Sequence, residues 1–179
     1  MYKAKKFEAS SAEAKAQGNV FAPYLEVLKG SELEELIDKY DLESMEMEAY
    51  YPQQNVCDMQ SEIAEKMGLF SGDLIALGKS SVSSIGFPPE VSTMAEAFGM
   101  LHQIYQAIHQ NIPEEEGWRY VVIDDATSKI HFNTPYEEFA GYGYVWAIAN
   151  KFCPDGKQPT IELEYENDQA VYRINLEDE

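Results

Sequence analysis

The apolar spacing of this chain changes character once, at Gly117. Before that residue hydrophobic side chains recur three and four apart, the period of helices with one buried face. Beyond it they fall in short runs separated by turn residues, the pattern of strands, with one helical stretch between them. Helices gathered in one half and strands in the other argue an α+β domain: an N-terminal helical part packed on a C-terminal antiparallel sheet, not a doubly wound parallel one.

In the first half, Phe21, Tyr24, Leu25 and Leu28 mark a helix that Gly30 stops. Ser31 with Glu34 has the spacing of a capping box and opens a second helix, which buries Leu33, Leu36, Ile37 and Tyr40. Residues 45–51 alternate like a strand that Pro52 ends. Val56, Met59, Ile63 and Met67 line a third helix closed by Gly68. Ser71 is placed to cap a fourth through Leu77, and Ser80–Ser84 with Gly86, Pro88 and Pro89 reads as a loop. The longest helical stripe follows, from about Val91 to Gln110, and Glu114-Glu115-Glu116-Gly117 is expected to be an acidic turn.

After Gly117 the expected order is β-β-α-β-β. Strands at 120–123 and 129–132 are joined by Asp124-Asp125-Ala126-Thr127. A helix from Tyr136 to about Phe152 opens on Pro135. Strands at 160–165 and 170–176 are joined by the turn Glu166-Asn167-Asp168. Gly141-Tyr142-Gly143 lies within that helix, where it serves close backbone approach and not phosphate binding.

A length of 179 residues is one domain's worth, expected over 19–179, with residues 1–18 a frayed helix or flexible tail ahead of it. Composition decides the class of partner. With 13 Lys+Arg against 32 Asp+Glu, the net charge of −19 repels phosphate backbones and anionic lipid, so neither nucleic acid nor a membrane is expected to bind. No apolar run has the length of a membrane span or the form of a secretory signal, and the cytoplasm is the expected compartment. Cys57 and Cys153 form no CxxC and have no histidine at metal spacing.

No HExxH, GxSxG or phosphate-loop motif occurs, and the chain is expected not to be an enzyme. Paired carboxylates such as Glu137-Glu138 and Asp124-Asp125 are expected to face water. What remains is aromatic. Tyr105, Trp118, Phe132, Tyr136, Tyr142 and Trp146 combine apolar rings with polar tips and suit a small-molecule pocket, although rings of this kind also serve plain packing. His102 lies in the apolar stripe of the longest helix. There it is either a core histidine bonded to a carbonyl or an imidazole able to ligate a heme iron.

The run Ile130-His131-Phe132-Asn133-Thr134-Pro135-Tyr136, followed by Phe139-Ala140-Gly141-Tyr142-Gly143 and Ala147–Phe152, resembles the superfamily of heme-nitric-oxide-binding (H-NOX) domains, 4-vinyl-reductase domains and related bacterial sensors. Asp168–Ile174 is similar to its closing strand. The resemblance implies a sensor fold with a pocket between helices and sheet. It also implies His102 as the counterpart of the heme-ligating histidine, with Tyr105 and His109 as further pocket residues. The Tyr-x-Ser-x-Arg motif of the H-NOX branch is here Phe132-Asn133-Thr134-Pro135-Tyr136, lacking all three residues that grip the heme propionates. The cysteines of the 4-vinyl-reductase branch are missing from the last hairpin.

The expected function is therefore a small-molecule-binding sensory domain without heme or other cofactor, signalling through a protein partner or a homodimer. One alternative is a heme-based NO or O2 sensor with His102 as metal ligand. The other is a protein-interaction domain with no small ligand.

Overall fold

The structure, a computed structural model, describes residues 2–67, 72–83 and 87–178. The predicted helix signals at Gly68 and Ser71, and Ser84 and Gly86 of the predicted loop, lie outside the described residues. The helical half contains α1 (Gly18–Leu28), α2 (Glu35–Lys39), α3 (Gln53–Met67) and α4 (Gly72–Ser83). It also holds β1 (Lys15–Gln17) and β2 (Tyr50–Pro52). Then come α5 (Met94–Gly99), α6 (Leu101–Ala107) and β3 (His109–Gln110). The second half runs β4 (Gly117–Val122), β5 (Thr127–Asn133), α7 (Glu138–Lys151), β6 (Lys157–Glu166) and β7 (Gln169–Asp178). Mixed α+β architecture with antiparallel sheets is what the change of period predicts.

The large sheet has the order β4-β5-β7-β6, every pair antiparallel. Its inward positions come from strict alternation: Ile130 and Phe132 on β5, and Ala170, Tyr172 and Ile174 on β7, are buried beneath α7. Each large side chain buried there contributes about 1.5–3 kcal/mol. These residues form one hydrophobic core with Phe98 and Ile148. A second core fills the helical half around Phe21, Leu36, Met59 and Leu74. The two cores meet where α4 crosses α7. A Cβ on Gly78 would collide with the Ala140 carbonyl, and one on Gly143 with the Ile75 carbonyl, so the crossing requires both glycines.

Of a small three-stranded sheet, ordered β2-β1-β3, only β2 overlaps a predicted strand. The Ala-rich segment expected to be a helix or tail turns at Lys6-Phe7 and Ala12-Glu13 and ends in the central strand β1, with Ala14 and Ala16 buried. Upstream, the Ala4 N–H donates to Asn133 Oδ1 at 2.9 Å and the Phe7 N–H to the Pro135 carbonyl at 2.7 Å. Tertiary pairing overrides alanine's helix preference here. β2 is shorter than the predicted strand, because residues 46–49 turn through an Ala49 N–H bond to the Glu46 carbonyl. Pro52 is tolerated in it because β2 is an edge strand.

The single long helix predicted over 91–110 is two helices and a strand. Its start is a capping box, Thr93 with Glu96. Gly99 closes α5, Met100 links it to α6, and the chain leaves helical geometry at Ile108. His109 therefore sits in β3 and not on a helical stripe. The predicted box at Ser31 and Glu34 is not formed. Ser31 Oγ accepts from the Leu33 N–H, and the Glu34 carboxylate accepts from the Gly30 N–H. Ser80–Ser83, predicted as loop, complete α4, with Ser81 Oγ donating to the Leu77 carbonyl.

Candidate functional site

Between the two cores lies a cavity of about 310 Å³. Tyr24 and Val56 wall it from the helical half, and Trp118, Phe132 and Tyr144 from the sheet and α7. Its size and mainly apolar lining are those of a small-molecule site.

His109 lies in its wall, 5% exposed. The Nδ1 atom lies 2.8 Å from the Tyr105 carbonyl, which can only accept, so Nδ1 carries the proton. Nε2 is then the lone-pair nitrogen, and the Tyr136 hydroxyl donates to it at 2.6 Å. The imidazole stacks on the Tyr105 ring at 4.0 Å between centroids. Burial pushes its pKa down to about 4, so it is neutral at physiological pH. Burial also raises Tyr105 and Tyr136 well above the ordinary phenol range, keeping both protonated.

Behind Tyr105 is a second buried cluster. The Glu116 carboxyl, 0% exposed, accepts from the Tyr105 hydroxyl at 2.7 Å, Gln53 Nε2 at 2.7 Å and the Tyr2 hydroxyl at 3.1 Å. The predicted acidic turn is present at Glu114 and Glu115, and Glu116 after it is buried, with three neutral donors replacing water around its carboxyl. Glu137 corrects the expectation that its pair faces water. It is 0% exposed and caps α7 by accepting from the Phe139 and Ala140 N–H groups. Burial raises its pKa, and Lys6 Nζ at 3.0 Å opposes the shift.

Tyr105, His109, Trp118, Phe132 and Tyr136 line the cavity. The other three predicted residues point elsewhere. Tyr142 donates to the Ile161 carbonyl at 3.3 Å, toward β6. Trp146 is 37% exposed, with Lys79 Nζ 3.7 Å from its ring centre. The half-buried His102 packs against Gly117, where a Cβ would come within 2.8 Å of Nδ1. Gln53, Gln60 and Glu116 escaped sequence reasoning. The first of two glutamines after a proline, and one glutamate of three in a row, carry no local signal of burial.

No protein-family profile and no curated protein matches this sequence. Solved structures do. An H-NOX protein from S. oneidensis in the Fe(II)NO ligation state superposes with a TM-score of 0.68 at 11% identity, over 90% of this chain and 99% of the other. The Fe(II) unliganded H-NOX protein from K. algicida gives 0.65 at 15% identity, over 91% and 97%. An oxygen-binding H-NOX domain related to soluble guanylate cyclases gives 0.61 at 11% identity, over 90% and 95%.

The fold is that of H-NOX domains. The expectation of no cofactor is overturned by these matches, since the structures sharing the H-NOX fold are described in Fe(II), Fe(II)NO and oxygen-bound forms. The residues here can be tested against such a group. Among the described residues no three His, Cys, Asp or Glu side chains gather to hold a bare metal ion. The one imidazole lining the cavity is His109, and its Nδ1–carbonyl bond is the arrangement that orients a ligating histidine. The apolar walls suit a planar ring, and His109 Nε2, which accepts from the Tyr136 hydroxyl, is the nitrogen that would have to ligate its iron. No Lys or Arg is among the lining residues to meet acidic substituents of the ring. No helix of the described residues is long and apolar enough to cross a membrane.

Proposed function

We propose that this chain is a ligand-binding sensory domain whose cavity takes a heme through His109 and signals the binding of a diatomic gas to a protein partner or a second copy. The observation that carries the reading is a buried neutral imidazole in the wall of an apolar cavity of an H-NOX fold. A heme, when bound, supplies an iron able to take NO or O2, the ligands of the structures this fold resembles.

The protein's own part is positioning and exclusion of water. The Tyr105 carbonyl fixes the His109 tautomer and ring plane. Tyr24, Trp118 and Phe132 keep the space apolar, which holds the imidazole neutral. His102, implied by resemblance as ligand, stands beside Gly117 and outside the lining.

Titration of the purified protein with hemin, followed by the Soret band, separates these readings. His109→Ala is expected to abolish the ligated spectrum and His102→Ala to leave it intact. Loss with His102→Ala alone returns the role to His102. Protein that stays colourless with excess hemin removes the heme reading.

A further inference from the structure

Residues 2–10, ahead of β1, bridge the two halves of the molecule. On the helical side the Ala9 N–H donates to Gln54 Oε1 at 2.9 Å, and Gln54 Nε2 donates to the Phe7 carbonyl at 3.0 Å. On the sheet side the Phe7 N–H donates to the Pro135 carbonyl at 2.7 Å and the Ala4 N–H to Asn133 Oδ1 at 2.9 Å. None of residues 2–10 is buried, and half-buried Phe7 packs on the helical core. A segment held by polar bonds with so little apolar burial opens at low free-energy cost.

Its side-chain anchors are buried, and each is a short run of hydrogen bonds away from the cavity. The Tyr2 hydroxyl donates to Glu116 at 3.1 Å, and the same carboxyl accepts from Tyr105, a cavity wall. Lys6 Nζ lies 3.0 Å from Glu137 and 2.6 Å from Glu138. The Glu137 N–H donates to Gln60 Oε1 at 2.7 Å, and Gln60 Nε2 donates to the Tyr24 hydroxyl. Gln60 and Tyr24 both line the cavity. With the segment in place, Glu116 and Glu137 are shut from water. With it lifted, water competes for the carboxyls that steady the Tyr105 ring and the start of α7.

We infer that residues 2–10 form a strap coupled to the cavity: occupancy tightens the docked strap, and the docked strap raises affinity for the occupant. A wall already steadied gives up less freedom when a ligand packs on it, so the two events favour each other. By linkage the two effects are equal in size. A surface segment that passes between docked and lifted forms is a signal a partner protein can read. The coupling needs an occupant and not an iron ligand, so it goes beyond the heme reading.

Hydrogen exchange of the full chain reads the strap at the Ala4, Phe7 and Ala9 amides, with the amides of β7 as reference. Two probes are offered to the cavity: hemin, and the neutral dye aminoanthracene. Either, once bound, is expected to slow the three strap amides roughly fivefold or more and to leave β7 unchanged. Lys6→Met and Tyr2→Phe are each expected to weaken binding of the same probe several-fold. Lys5→Met removes only the exposed pair with Glu8 and is expected to change neither readout. If a bound probe leaves strap exchange unchanged or speeds it, the coupling is overturned, and a ligated hemin spectrum still upholds the functional reading. A Lys6→Met variant that melts lower but binds as tightly as the parent makes the segment a brace, which also overturns the coupling. Slowed exchange with aminoanthracene in protein that refuses hemin upholds the strap and removes the heme reading. Protein that takes up neither probe removes both.

Discussion

Two polar clusters of this protein use similar groups in opposite surroundings. Around Glu116 and His109, a carboxyl, two phenols, an amide and an imidazole are shut inside, and nearly every donor has one designated acceptor. On β5 to β7, Lys129 Nζ lies 2.6 Å from Glu166 and 3.2 Å from Glu164, and Arg173 Nε donates to Glu164 at 2.7 Å. The second set carries more formal charge and matters less. Water replaces each of its bonds when one is lost, whereas in the first set a lost partner leaves a desolvated group with nothing. Placement, not charge, decides which polar residues hold this fold together.

The largest effect expected from that contrast is at Glu116. Glu116→Ala strands the Tyr105 hydroxyl and Gln53 Nε2 and frees Tyr2, and should destabilise the domain by about 3–4 kcal/mol, read by urea unfolding. If the loss is no larger than that of a surface substitution, the buried cluster is hydrated and the contrast fails.

Next comes the acid response of His109. Its pKa falls from 6.5 in the unfolded chain to about 4 in the fold, so the unfolded state binds the extra proton. The stability this contributes is complete above pH 6.5 and is lost as pH falls toward 4, by roughly 3 kcal/mol at the limit. Unfolding curves across that window should show the slope, and His109→Phe should flatten it. A slope unchanged by that substitution assigns the effect to other groups.

Gly78→Ala sharpens the comparison from the packing side. The new Cβ meets the Ala140 backbone and should cost about 1–3 kcal/mol by urea unfolding while leaving the slope against pH intact. Lys129→Ala is expected to have the smallest effect: a slight drop in melting temperature that disappears at high salt. A larger, salt-insensitive drop there would make the two clusters equivalent.

Legibility follows the same physical line. The alternation in Ile130 and Phe132, and the Asn167-Asp168 turn at positive φ, mark the closing strands directly, because both are consequences of neighbours in sequence. Rings at Tyr105, Trp118, Phe132 and Tyr136 could be nominated for a pocket by their dual character alone. Nothing local distinguished Glu116 from Glu114 and Glu115, or moved His109 off a helix into β3, because these depend on strands paired across nearly a hundred residues.

By itself the order of residues determined where helices give way to strands, since the spacing of apolar side chains is local information that a backbone period must match. Which histidine faces the cavity, and which carboxyl is buried without a cation among the described residues, was decided only by the tertiary structure. Direction and desolvation belong to the packed surroundings of a side chain, and those surroundings come from distant parts of the chain.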